Sequence, residues 1–267
     1  VRDVIDRYLP KKGLILDPFS GVGTTLVEGL LQGHDVIGFE INPYAALACK
    51  GKTEAFSVDA SELEKLIDRF RTFYSEAVKK KTQPQSQSPA GFSTRGEFYS
   101  PTVLWKVLLL KDFIFQIEQP CFQDLARLAF AATMVTYSNY SYEPSLGRRE
   151  SAGRERIDDF QVGETVINKM REMLADVLWL KKHLPKRKGI ARIFNKSFFN
   201  CGPSLRANSV DLVITSPPYL NNYHYIRNTR PQLYWLEFFQ NPQDFKELEQ
   251  ANFGKYWQTV REKERID

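Results

Sequence analysis

Histidine, cysteine and methionine each occur only three times in these 267 residues. Cys49, Cys121 and Cys201 lie far apart without metal-ligand spacing, so neither a disulfide framework nor a zinc site is indicated. No apolar run reaches the roughly 18 residues that a membrane span requires, and no membrane segment is expected. The first ten residues, VRDVIDRYLP, lack the apolar centre of a signal peptide, so a cytoplasmic location is the expectation. There is no internal repeat. The chain opens on valine and ends on a charged helical pattern, WQTVREKERID, and reads as a fragment.

A second absence lies in the glycine loop at residues 18–25, PFSGVGTT. A phosphate-cradling P-loop places lysine before its Ser/Thr, and none stands here. A dinucleotide fingerprint places a third glycine three residues after the second, but position 26 is leucine. Nucleotide hydrolysis and NAD chemistry are both disfavoured.

What is present is a soluble globular composition, 42% hydrophobic and 26% charged, with a net charge of +5. The basic residues cluster at Lys79–Lys81, in GRRESAGRER and in KKHLPKRK, which suits a polyanionic partner and equally a solvated face.

The first fifty residues alternate strand and helix signals. GLILD (13–17) is an apolar run ending in an acid, and TTLVEGLLQG is an amphipathic helix closed at Gly33. HDVIGFE (34–40) reads as a second strand, after which Asn42 caps a helix with Pro43 at its first position. This is a βαβ unit with a parallel sheet, an α/β fold of Rossmann-like type. Residues 55–189 turn helical, with a polar and mobile linker, TQPQSQSPAG, inside them. Strand signals resume in IARIFN and in SVDLVIT, whose VDLVI reads as a buried strand. The expected organisation is a first half at 1–54, a helical insertion at 55–189 and a second half at 190–267.

Asp17 ends the first strand, where its charge would repel a pyrophosphate but suits a cationic ligand. Glu40, about twenty residues on at the end of the second strand, is placed to accept hydrogen bonds from a ribose diol. With Gly21 and Gly23 allowing close approach of a ligand to the loop backbone, these acids describe a pocket for a cationic nucleoside without phosphates, of which S-adenosylmethionine is one.

DPFSGVGTT and TSPPY together resemble the two signature motifs of the DNA amino-methyltransferases, which methylate an exocyclic nitrogen of cytosine or adenine. The resemblance covers about residues 1–53 and 190–240. It implies a class I methyltransferase fold and S-adenosylmethionine as cofactor, held by Asp17, Pro18, Phe19, Gly21, Gly23, Thr24, Thr25, Glu40 and Asn42. It implies Ser216, Pro217, Pro218 and Tyr219 as the catalytic loop. The amine of a base is a poor nucleophile because its lone pair is delocalised, and acceptors aimed at its two hydrogens favour attack. The Ser216 hydroxyl and Pro217 carbonyl supply those acceptors on a stiff Pro-Pro backbone, while Tyr219 stacks on a flipped base. Serine at 216 is more similar to the cytosine-N4 branch than to the adenine-N6 branch.

The helical insertion lies where one arrangement of the family carries target recognition. Its YSNYSYEPSLGRRESAGRERIDDF interleaves tyrosines with Arg148, Arg149 and Arg154, a mix suited to phosphate contact and base stacking or to a flexible exposed loop; Arg227 beyond the catalytic loop is a further phosphate candidate. His224 reads as an ordinary loop residue. The chain departs from the family pattern twice. RIFNKSFF carries Asn195, Lys196 and Ser197 where relatives place an acid toward the adenine of the cofactor. Nothing after residue 220 reads as a strand, so C-terminal sheet strands are expected to be missing. DNA is the expected partner, with a restriction endonuclease as a companion; RNA as substrate and a non-catalytic nucleic-acid-binding module are the alternatives.

Overall fold

The computed structural model describes residues 1–142, 146–184, 189–218 and 225–252. The chain divides into two compact units. One comprises Val1–Phe56, His183–Thr229 and Pro242–Asp267; the other comprises Ser57–Lys182 and Arg230–Asn241. Residues 230–241 therefore group with the helical unit, a partition that no composition shift announces.

The first unit is built on a four-stranded sheet of β1 (Leu14–Asp17), β2 (Asp35–Phe39), β5 (Ala191–Phe194) and β6 (Leu212–Val213), in the order β5-β2-β1-β6. Every pairing is parallel, with Ile15 opposite Val36 and Leu212, and Phe39 opposite Phe194. Side chains alternate across a strand, so neighbouring residues feed two cores. Ile15 and Val36 pack with Ile5, Leu26, Leu30 and Cys49. Leu16, Ile37 and Phe39 pack with Phe194, Phe198 and Leu205. The helices α1 (Arg2–Tyr8), α2 (Thr24–Leu31) and α3 (Pro43–Glu54) belong to this unit, as do α8 (Tyr225–Asn228) and α10 (Pro242–Ala251). This is a mixed α/β fold with a parallel sheet, consistent with a class I methyltransferase. The strand order reverses between β1 and β6, and open α/β sheets bind ligands at the carboxyl ends of strands beside such a reversal.

VDLVI does not form the buried strand that its apolar run predicts. Only Leu212 and Val213 pair, with β1 alone among the described residues, and Val213 is 54% exposed. A strand hydrogen-bonded along one side only does not bury its residues as a central strand does. The described residues beyond 218 hold three helices and no strand.

The second unit contains α4 (Ala60–Lys79), α5 (Pro101–Phe115), α6 (Pro120–Thr133), a hairpin of β3 (Tyr140–Tyr142) and β4 (Leu146–Arg148), α7 (Val162–His183, its last residue in the first unit) and α9 (Arg230–Trp235). Asp59 caps α4 and Ser100 caps α5, each accepting backbone N–H groups that the helix leaves unpaired. Two expectations change here. The linker at 82–91 is fastened: Asp112 on α5 accepts the amides of Gln85 and Ser86, and the Thr82 carbonyl accepts Trp105 Nε1. Two of the three tyrosines read as a stacking surface are core residues instead, while Tyr142 is 42% exposed. Tyr137 is fully buried against Tyr99 with ring centroids 5.8 Å apart, and Tyr140 packs on Phe98 at 5.4 Å. Among the described residues, no helix is long and apolar enough to cross a membrane.

Candidate active site

The glycine loop turns on two glycines with different tasks. Gly23 has φ +86° and heads α2, and a Cβ there would come within 2.8 Å of Cys49 Sγ, so neither its backbone nor its space admits a side chain. Gly21 also has positive φ, +51°, but a Cβ there would meet nothing within 4 Å. Its amide donates to Glu40 Oε2 at 2.9 Å, joining the loop to the end of β2.

Asp17 is only 3% exposed. Burial pushes its carboxyl above the ordinary carboxylate range, opposed by bonds from the Thr25 hydroxyl, the Phe19 amide and the Thr215 hydroxyl. Glu40 is raised likewise by burial, opposed by the backbone amides of Asn42, Gly21 and Ile41, with the nearby Asp17 charge adding to the rise. Among the described residues neither acid has a salt-bridge partner. Two acids held close without a cation fit a ligand that carries positive charge or hydroxyl donors.

Both acids face one cavity of about 560 Å³, within the range of small-molecule sites. Its walls include Asp17, Pro18, Phe19, Gly21, Thr24, Thr25, Glu40 and Asn42 from the first half of the chain, and Ser216, Pro217 and Pro218 from beyond β6. All of these belong to the first unit. Of the residues singled out for cofactor, Gly23 alone does not line the cavity; it sets the loop from behind, over Cys49, whose thiol burial pushes up to about 12. Tyr219 and His224 lie outside the described residues.

The arginines fall elsewhere. Arg148, Arg149 and Arg154 belong to the second unit, where Arg148 sits 3.9 Å from Glu150 and Arg149 Nε donates to the Glu155 carbonyl. Arg227 belongs to the first unit and donates to Glu249 Oε1 at 2.8 Å.

The stretch without the usual acid behaves in a way its residue types do not announce. Asn195 does not line the cavity; its Nδ2 donates to the carbonyls of Glu40 and Ile41 at 2.8 and 3.1 Å, bracing the end of β2. Lys196, Ser197 and Phe198 do line it. Ile226 and Thr229 also contribute, and no motif marks them. They arrive through the short α8, and only the buried position of Ile226, 5% exposed, separates them from ordinary loop residues.

The DNA methylase family model N6_N4_Mtase matches residues 1–50, the segment that carries β1, the glycine loop and Glu40. The type II methyltransferase M.BsoBI of Geobacillus stearothermophilus is 23% identical over 282 residues, covering 95% of this chain and 53% of the relative. The type II methyltransferase M.MvaI of Kocuria varians is 26% identical over 230 residues, covering 81% of this chain and 48% of the relative. The chain thus spans about half the length of the curated relatives it matches. No solved structure matches it. With a methylase model on the glycine-loop segment and two type II methyltransferases aligned along most of its length, the chain is similar to the DNA amino-methyltransferases.

Proposed function

We propose that this protein transfers a methyl group from S-adenosylmethionine to the exocyclic amino group of a base in DNA, at cytosine N4 in preference to adenine N6. The observation that carries the proposal is one cavity with two chemically distinct ends. The buried Asp17 and the half-buried Glu40, neither with a salt-bridge partner among the described residues, line it beside the glycine loop, and Ser216-Pro217-Pro218 line it from the other half of the chain. The cavity also fits the cofactor in kind, since its two acids complement one positive charge and a diol, and Phe19, Phe39 and Phe198 supply apolar wall.

When bound, the cofactor supplies a methyl group on a cationic sulfur. Glu40 accepts hydrogen bonds from hydroxyls, a task for which the Gly21 and Asn42 amides already orient its carboxylate. Asp17 offsets positive charge at the end of β1. The Ser216 hydroxyl and the Pro217 carbonyl accept the two amine hydrogens of the base, which directs the nitrogen lone pair out of the ring plane. With the methyl group supplied by the bound cofactor, the amine nitrogen would gain the methyl carbon and release its proton to water. No strong base is needed, because the nitrogen becomes acidic as it is methylated. Tyr219 stacks on the flipped base, an interaction on the order of 1–3 kcal/mol in single-strand binders.

Cytosine is favoured on serine at 216. The second unit, with Arg148, Arg149 and Arg154, is assigned to DNA contact, Arg227 is assigned to phosphate, and the type II designation of the relatives is the ground for a restriction-modification setting with an endonuclease partner.

The test is mass spectrometry of nucleosides from DNA and RNA of cells expressing the protein. The expected result is N4-methylcytosine in DNA, absent with Ser216→Ala. N6-methyladenine in its place would move the target, and methylated RNA with unmodified DNA would move the substrate. Unchanged nucleosides throughout would sink the proposal.

A further inference from the structure

Asn42 makes more bonds than its place at the head of α3 requires. Its Oδ1 accepts the amides of Tyr44 and Ala45, which is the capping role, and aspartate or serine performs that role equally well. Its backbone amide donates to Glu40 Oε1 at 2.7 Å. Its Nδ2 donates to Thr229 Oγ1 at 2.8 Å, across 187 positions of sequence. Only this last bond requires the amide of asparagine. An aspartate here would also add a third carboxylate beside Glu40 and Asp17.

Thr229 completes a directed chain. Its hydroxyl accepts from Asn42 and donates to the Ile226 carbonyl at 3.1 Å, and its own amide donates to the same carbonyl at 3.2 Å. Ile226 is buried and lines the cavity with Glu40 and Ser216. Asn42 is 6% exposed, so loss of the Thr229 hydroxyl leaves its Nδ2 without this acceptor in a place water barely reaches.

We infer that Thr229 is a positioning residue for the methyl transfer, tying the Ile226 wall of the cavity through Asn42 to the amide that orients Glu40. The inference rests on the proposed function and deepens it. Through this bond, the cofactor end of the cavity and the segment that follows the catalytic loop share one fixed point. The role is to hold the Ile226 wall in register with Glu40, and Thr229 takes no part in the bond changes.

The test compares Thr229→Val, Thr229→Ser, Asn42→Ser and the double variant Asn42→Ser/Thr229→Val. Three readouts are taken: calorimetric affinity for S-adenosylmethionine, the methyl-transfer rate on DNA, and hydrogen exchange of the residue 229 amide in the protein alone. A lost hydrogen bond predicts that Thr229→Val slows transfer about tenfold, with cofactor affinity changed no more than about threefold. Thr229→Ser restores the rate, because it restores the hydroxyl. Asn42→Ser keeps the cap and slows transfer as Thr229→Val does, and both speed exchange at residue 229. The double variant is no slower than the worse single one, because the two changes remove one bond. Equal rates for valine and serine at 229, or additive losses in the double variant, overturn the inference. Failure of the wild type to bind S-adenosylmethionine overturns the proposed function and takes this inference with it. Normal binding with a normal Thr229→Val rate overturns the inference alone.

Discussion

The two units bury charge in opposite ways. The sheet unit sets two carboxylates, the buried Asp17 and the half-buried Glu40, at a cavity with no salt-bridge partner among the described residues. The helical unit buries ammonium groups and gives each an acid. Lys106, 9% exposed, pairs with Asp159 and also donates to the Phe160 carbonyl. Lys111, 3% exposed, pairs with Glu237 at 2.8 Å and lies over the Trp235 ring at 5.7 Å. A paired buried charge accounts for itself as architecture. An unpaired one lowers stability unless something else compensates, and in the sheet unit the compensation is assigned to a bound cation.

That contrast can be broken at its active end first. Ser216→Ala removes one of the two acceptors for the amine and is expected to slow methyl transfer by about 10²-fold or more, with cofactor affinity retained. Single-turnover rates on DNA decide this, and a rate within a few-fold of wild type would remove serine from the mechanism.

The next effect is on affinity. Asp17→Asn is expected to weaken S-adenosylmethionine binding by ~1.5–3 kcal/mol, the scale of a lost charge-assisted interaction. The same variant should not lower the melting temperature of the ligand-free protein at pH 8, because it removes a buried charge. A lower melting temperature would mean that Asp17 serves the fold and not the ligand. The pH dependence follows from the raised carboxyl groups. A folded state that holds its protons more tightly is most stable below the ordinary carboxylate range, and that stability is lost as pH rises through the raised values. A cation favours the deprotonated pair, so cofactor affinity should climb over the same window in which ligand-free stability falls. Parallel trends would contradict the assignment.

The glycine pair sharpens the comparison inside the site. Gly23→Ala combines positive φ with a 2.8 Å approach to Cys49 Sγ, and a cost of about 2–3 kcal/mol in denaturant unfolding is expected. Gly21→Ala carries only the backbone term, about 1 kcal/mol, because its Cβ meets open space. Equal costs would show that the Cys49 contact relaxes away.

The smallest effects test the paired charges. Glu237→Gln leaves the Lys111 ammonium buried without its counter-charge and should cost about 2 kcal/mol. Lys111→Met leaves Glu237, half exposed, to water and should cost less, about 1 kcal/mol or under. Reversal of that order would overturn the reading of the lysine as the dependent partner.

The legible parts of this protein are those where chemistry is local. LILD and DVIGF alternate apolar residues between two cores and end near an acid, and Asn42-Pro43 starts a helix by a side chain that accepts the amides of the next residues, Tyr44 and Ala45. Hence the parallel strands, the capped helices and the acid-and-glycine end of the cavity can be read from short windows. Thr229 cannot, because its significance lies in a partner 187 residues away. The same holds for Asn195, which resembles a degraded ligand residue in sequence yet braces the β2 end through two carbonyls. The tyrosines at 137 and 140 misled because residue types suited to stacking on bases are equally suited to stacking on each other, and only the distant Phe98 and Tyr99 rings packed against them decide which occurs.

Calorimetric titration of S-adenosylmethionine into the wild-type protein and into Glu40→Gln tests the central claim most directly. The account predicts one site per chain in the wild type and an affinity at least about tenfold weaker in the variant, the loss of a charge-assisted hydrogen bond. No binding to the wild type, or the same affinity in both, would contradict it.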